Sequence, residues 1–280
     1  IIDLGFWPGG DRDGNPFVTT EITLQVAERL RQTILRNYYK DVRQLRRRLT
    51  FPGVEEILIR VEKRLYKHVT KSYKVVTFSQ EILLEELHKI RTILIDEHKS
   101  LFLEGLDDLI HKVSIFGFHF ATLDIRQDSR VHHSAFTTMV KELQNSGNTI
   151  FPKDYLNLSE IDQIEILSKL KGDIDLDLFS DEMLVKTLGS IRAIKEIQSR
   201  NGEKGANRYI ISNNQTALNV METFAMLNLS GFDEELPVDV IPLFETVDDL
   251  QNASDVMRIL YSNSEYRKHV TQRGDKQTIM

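Results

Sequence analysis

Short apolar, β-rich runs, each closed by a polar corner and followed by a helical pattern, constrain this chain more than any other feature. Residues 113–125 (VSIFGFHFATLDI), Tyr209–Ser212 and 238–244 (VDVIPLF) are such runs. Apolar on both faces, they read as strands buried inside a parallel sheet. Amphipathic stretches follow them near 129–145, 214–229 and 247–262, and a further strand opens the chain ahead of Trp7. Strands alternating with helices predict an α/β fold. Four strands are too few to close an eight-stranded barrel, so the expectation is a helix-dominated, partial (β/α) barrel wrapped in extra helices.

The extra helices are legible before the second strand. Thr20 or Thr23 offers an N-cap for a helix reaching about Arg48, with Val26, Leu30, Ile34 and Leu45 at helical spacing. Pro52-Gly53 breaks it, and 54–70 carries the stripe Val54, Ile57, Leu58, Val61, Leu65. Ser79 is placed to cap a third helix over about 80–103, with Leu83, Leu87, Ile90 and Leu94 on one face. The whole of 1–280 reads as one central segment of a longer protein, helical over about 20–112 and strand–helix over about 113–280. The apolar ends, Ile1-Ile2 and Thr278-Ile279-Met280, read as the interior of elements rather than as frayed termini. Residues 146–181 read as an elaboration with short acidic helices.

Composition removes several function classes. With no cysteine there is no disulfide, no thiolate catalysis and no Cys-ligated zinc. A net charge of −6 gives no general affinity for nucleic acid. No apolar run approaches the roughly 20 residues that cross a bilayer, and no signal-peptide pattern is visible. The expectation is a cytoplasmic protein that engages neither membrane nor nucleic acid.

Ligands of parallel α/β folds bind where the strands end, so the polar residues after the apolar runs are the candidates. Arg126, in DIRQDS, offers a planar fork for phosphate or carboxylate; it could equally pair with Asp13, Asp124 or Asp128. Glu245 suits an oxygen-seeking divalent cation; it could equally serve the start of the helix at 247. The loop WPGGDRDGNP (7–16), with Asp11, Arg12 and Asp13, could bind an ion or could be a self-bonded turn cluster that positions Trp7. His119 reads as a core histidine, and His132-His133 lack a zinc-binding spacing.

Four segments then carry a family resemblance. WPGGDRDGNP resembles the WMGGDRDGNP loop of phosphoenolpyruvate carboxylases, and GFHFATLDIRQDS resembles that family's strand ending in DIRQ-S. RYIIS and VIPLFETVDDLQNA are similar to two further family segments, in the same order. The resemblance implies a carboxy-lyase that joins bicarbonate to phosphoenolpyruvate, through carboxyphosphate and an enolate, giving oxaloacetate and phosphate. It implies Mg²⁺ or Mn²⁺ in the full-length enzyme, and a homotetramer. Carried over by motif, Arg126 would contact the substrate phosphate and Glu245 would be one metal ligand. Trp7, Leu243 and Met280 would wall the apolar pocket for carbon dioxide, and Asp11, Arg12 and Asp13 would shape the site. The family's TAHPTE histidine, its GRGG loop and the Ser-Asp motif expected after Met280 are absent. Pro8 stands for the usual methionine, and Asn213-Asn214 for the usual Met-Ala. The isolated segment is therefore expected to be inactive. The alternatives are a non-catalytic module for a phosphorylated ligand and a helical interaction module.

Overall fold

The structure, a computed structural model, describes residues 3–15, 17–70, 78–232 and 235–280. Expectations on Ile1, Ile2 and Pro16 lie outside the described residues. In chain order the elements are β1 (Gly5–Phe6), α1 (Thr20–Arg46), α2 (Val54–Thr70), α3 (Gln80–His98), α4 (Leu103–Phe116), β2 (Thr122–Leu123), β3 (Ile125–Asp128) and α5 (Ser129–Asn145). There follow α6 (Glu160–Ser168), α7 (Glu182–Asn201), β4 (Arg208–Ser212), α8 (Ala217–Asn228), β5 (Asp239–Pro242), α9 (Val247–Ser262) and α10 (Ser264–Gln272). The fold is helix-dominated α/β with small sheets, β1-β2 and β3-β4-β5.

The chain divides into two compact units. The first holds Gln25–Thr122, Ile197–Gly205 and the residues up to Phe6. The stripes read from α2 and α3 are all buried in its core, together with Leu35, Tyr38 and Val42 of α1. In α1 the buried line runs through Ala27, Ile34, Leu35 and Tyr38, while Val26 and Leu30 lie half out of it. Thr19, one residue before the first expected cap, accepts the Ile22 N–H at 3.3 Å; Thr23 instead turns its hydroxyl to Gly9 O at 2.7 Å.

Two expectations fail here. The third helix stops at His98, because Lys99 and Ser100 turn left-handed and Ser100 N–H closes on Leu94 O. No glycine marks that stop, so the sequence carried no sign of it. The run 113–125 is not one strand. Val113 continues the α4 stripe of Leu106, Leu109 and Ile110, and the helix ends at Gly117 with φ +49°. A Cβ there would lie 2.7 Å from Gln80 Oε1 and from His119 Nδ1. A short apolar run gives helix and strand the same signature, and Gly117 decides between them. His119 is buried in this unit as expected, and burial lowers its pKa to about 4.

The second unit holds Trp7–Leu24, Leu123–Glu196 and Ala206–Met280. Its sheet is parallel, with Arg126 opposite Ile210 and Ile210 opposite Ile241. Both edges are extended. Asp11 bridges to Arg126 in parallel, through Arg126 N–H to Gly10 O and Arg12 N–H to Arg126 O, each at 3.0 Å. On the far side Met280 N–H bonds Pro242 O, and Phe244 N–H bonds Met280 O. These two bonds set Met280 along the β5 edge without forming a strand, and Ile279 and Met280 stay 48% and 40% exposed. The helix α8 packs on α5, α6, β4, β5 and α9. It is apolar nearly all round, the signature of a central helix, and a capping box between Thr216 and Asn219 starts it.

Candidate functional site

The site is built at the β3 edge of the second unit. Arg126 is the second residue of β3, not a residue beyond its end. The DIRQ corner is itself the strand, and Asp128 closes it by capping α5 through Arg130 N–H at 2.7 Å. The glycine loop docks by backbone onto this strand. Gly10 has no alternative there, since a Cβ would fall 2.1 Å from Asp124 O. The loop is also self-bonded: Asp13 N–H meets Asp11 Oδ1 at 3.0 Å, and the N–H groups of Gly10 and Asp11 both point at Trp7 O. This is the turn cluster that the sequence offered as one option.

Arg126 lies at the centre of an acidic ring. Its Nη2 donates to Asp13 Oδ2 at 2.8 Å and to Glu245 Oε1 at 3.0 Å. Asp11 Oδ1 lies 3.8 Å from its Nε. The guanidinium sits 5.7 Å from the centre of the Trp7 ring, in cation–π range. The side chain is 14% exposed, and its Nε is buried without a hydrogen bond. The fork is thus occupied by carboxylates of the chain itself, the same type of acceptor it would meet in an oxyanion.

The other aspartates weighed for Arg126 are taken. Asp124 pairs with Arg208 at 2.7 Å and accepts the Trp7 indole N–H; burial nevertheless raises its pKa. Asp128 serves Arg130. Arg12 points away from the ring: its Nε donates to Val18 O and its Nη2 to Thr23 Oγ1, both at 3.1 Å, fastening the loop to the start of α1. Glu245 does not cap α9. Thr246 does, in a capping box with Asp249. Glu245 Oε2 instead receives Asn213 N–H at 3.2 Å.

Asn213 escaped the sequence reading. It stands at φ +50° just past β4, a region Asn tolerates better than most residues. Its carbonyl is fixed by Ser129 Oγ at 2.6 Å. The Asn213-Asn214 departure from the family pattern was the available signal. Leu243, half-buried, follows β5 between the two bonds to Met280, while Trp7 is 47% exposed. Among the described residues, no three His, Asp or Glu side chains group closely enough to hold a metal ion. With Glu245 paired to Arg126, the described residues supply at most one ligand here and no complete set for a divalent cation.

His132 and His133 each meet a partner from another element of the second unit. His132 is buried, its Nε2 2.9 Å from Tyr209 OH, with its pKa lowered by burial to about 3. His133 Nδ1 is 2.8 Å from Glu222 Oε1.

A half-buried guanidinium ringed by three carboxylates beside a small parallel sheet places this unit in the helix-dominated α/β class. The phosphoenolpyruvate carboxylase family model matches residues 1–81 and 59–280, and the chain belongs to that family. It is 31% identical over its whole length to the phosphoenolpyruvate carboxylase of Nitrosomonas eutropha, and 29% to that of Nitrosomonas europaea. It spans 35% of the length of each of these relatives.

Proposed function

We propose that the chain is the central part of a phosphoenolpyruvate carboxylase, acting in the cytoplasm on phosphoenolpyruvate and bicarbonate as part of a homotetramer. The observation that carries this reading is the meeting of Arg126 and Glu245 at 3.0 Å beside Trp7. In this reading Arg126 is the catalytic residue and takes the substrate phosphate. To do so it must exchange Asp13 or Glu245 for phosphate oxygens, a swap between charge-assisted bonds of similar strength. Release from Arg126 would leave Glu245 free to act as one ligand of the parent's Mg²⁺ or Mn²⁺, whose other ligands would lie outside the described residues. Trp7, Leu243 and Met280 would wall the carbon dioxide pocket, and closing it would shield the enolate from water. Asp11 and Asp13 would hold Arg126 in register, and Arg12 would hold their loop.

The parallel order of the Gly10–Arg12 edge, β3, β4 and β5 supports a partial barrel within about 113–280, with about 20–112 as the helical part of the segment. The chain alone is expected to turn over negligibly. An oxaloacetate-coupled assay on the chain, and on a version extended to the length of its relatives, tests this. Activity in the extended form that disappears in R126Q supports the reading. Robust activity in the chain alone overturns its incompleteness, and an active extended R126Q overturns the role of Arg126.

A further inference from the structure

The ladder between β4 and β5 carries one residue too many at its end. In a parallel pair each residue donates to one neighbour of its partner and accepts from the other. Asp239 N–H donates to Asn207 O at 2.7 Å, and Leu243 N–H to Ile211 O at 2.9 Å, both in the register that pairs Tyr209 with Val240. Continued by one step, that register would send Asn213 N–H to Leu243 O. The bond is made by Asn214 N–H instead, at 3.1 Å. Asn213 is therefore an extra residue, a bulge at the carboxyl end of β4.

The bulge has a cost and a use. Asn213 takes φ +50°, a conformation that Gly and Asn tolerate and β-branched residues do not. Freed from the ladder, its N–H turns to Glu245 Oε2 at 3.2 Å, and its C=O accepts from Ser129 Oγ at 2.6 Å. Ser129 is buried, so the carbonyl is fixed from the start of α5. Glu245 is less confined, with its side chain 37% exposed. Its Oε1 accepts from Arg126 and its Oε2 from Asn213, so the two oxygens are held from different strands.

We propose that Asn213 is a positioning residue: its looped-out N–H keeps hold of Glu245 Oε2 when an incoming phosphate takes Arg126 away from Oε1. The phosphate rests on the carboxylase reading; the bulge and its bond to Glu245 do not. A carboxylate released at one oxygen and tied at the other keeps its place. Without the tie it would regain the rotamer freedom of an exposed glutamate. What position 213 must supply is a left-handed backbone, not a side-chain amide, so glycine should serve there and valine should not.

Two measurements test this. In the chain itself, the residue-213 amide signal should move as the pH falls through the carboxylate range, and E245Q should abolish that movement. An amide that does not titrate, or one that still titrates in E245Q, overturns the contact. In the form extended to the length of the relatives, N213V should lower kcat about tenfold, the worth of one charge-assisted hydrogen bond. KM for phosphoenolpyruvate should stay within about twofold, because the Arg126 fork is intact. N213G, the conservative change for a left-handed backbone, should rescue most of kcat. Equal loss in N213G and N213V overturns the backbone role, as does an N213V variant with undiminished kcat. If N213V fails to fold, N213A, which is less strained, replaces it with a smaller fall in the same direction. An extended parent without carboxylation sinks the enzymatic reading and this role together, whereas failure confined to the 213 variants sinks the role alone.

Discussion

Arg126 and Glu245 are 119 residues apart, and their side chains meet at 3.0 Å. Sheet register brings this about. Ile210 of β4 has Arg126 on one side and Ile241 on the other, so a residue within β3 and one just beyond β5 share an end of the sheet. Asp13 completes the cluster because its loop is paired with β3 at Arg126 itself.

Removing the central charge should therefore destabilise the second unit. R126Q leaves Asp13 and Glu245, both drawn to one nitrogen, facing each other without a cation. The expected loss is about 1–3 kcal/mol at neutral pH, measured by the urea midpoint. Adding D13N should recover part of it, and strictly additive effects would mean that the ring does not act as a unit.

Gly10 and Gly14 should respond differently to alanine. At Gly10 the new Cβ meets backbone, Asp124 O at 2.1 Å, so the loop must leave the strand. The expected cost is about 3 kcal/mol or more. Gly14 has open space and only a positive φ, +65°, so G14A should cost about 1 kcal/mol. Thermal unfolding of the two variants compares them directly, and equal shifts would contradict the docked loop.

His133 should titrate above an ordinary histidine, because Glu222 favours its charged form. The raised folded-state pKa means that this contribution to stability is complete below about pH 6.5. It is lost as the pH rises through the folded value. NMR titration of the ring should show the elevation, and E222Q should remove it.

His132 and His269 should act in the opposite direction. Burial lowers their folded pKa values to about 3 and about 4. Below about pH 6.5 the unfolded chain takes up protons that these residues refuse when folded, so stability falls with pH. The slope is about 1.4 kcal/mol per pH unit for each histidine until its folded value is reached. Urea midpoints between pH 7 and pH 4 should show the fall, and H132Q should flatten it. A profile unchanged by H132Q would contradict a neutral, buried His132.

The sequence by itself determined the helices with a clean apolar stripe, the order of strands and helices, and the family. Val54–Leu65 and Leu83–Leu94 are buried as read, since one unbroken period admits one buried face. Arg126, Asp13 and Glu245, which the structure brings together, stand in the sequence as polar groups beside apolar runs. Where the period was ambiguous, tertiary structure decided: Val113 went to a helix and Thr122 to a strand, and only the packing around Gly117 separates them. The partners were decided there too. Three aspartates competed for Arg126 on paper, and sheet pairing gave it Asp13 while Arg208 and Arg130 took the other two. Asn213 reaches Glu245, and Glu222 reaches His133, across gaps of 32 and 89 residues. Residue type and local spacing specify which groups can bond, but contacts over such distances exist only once β3, β4 and β5 are in register and α5 is packed on α8.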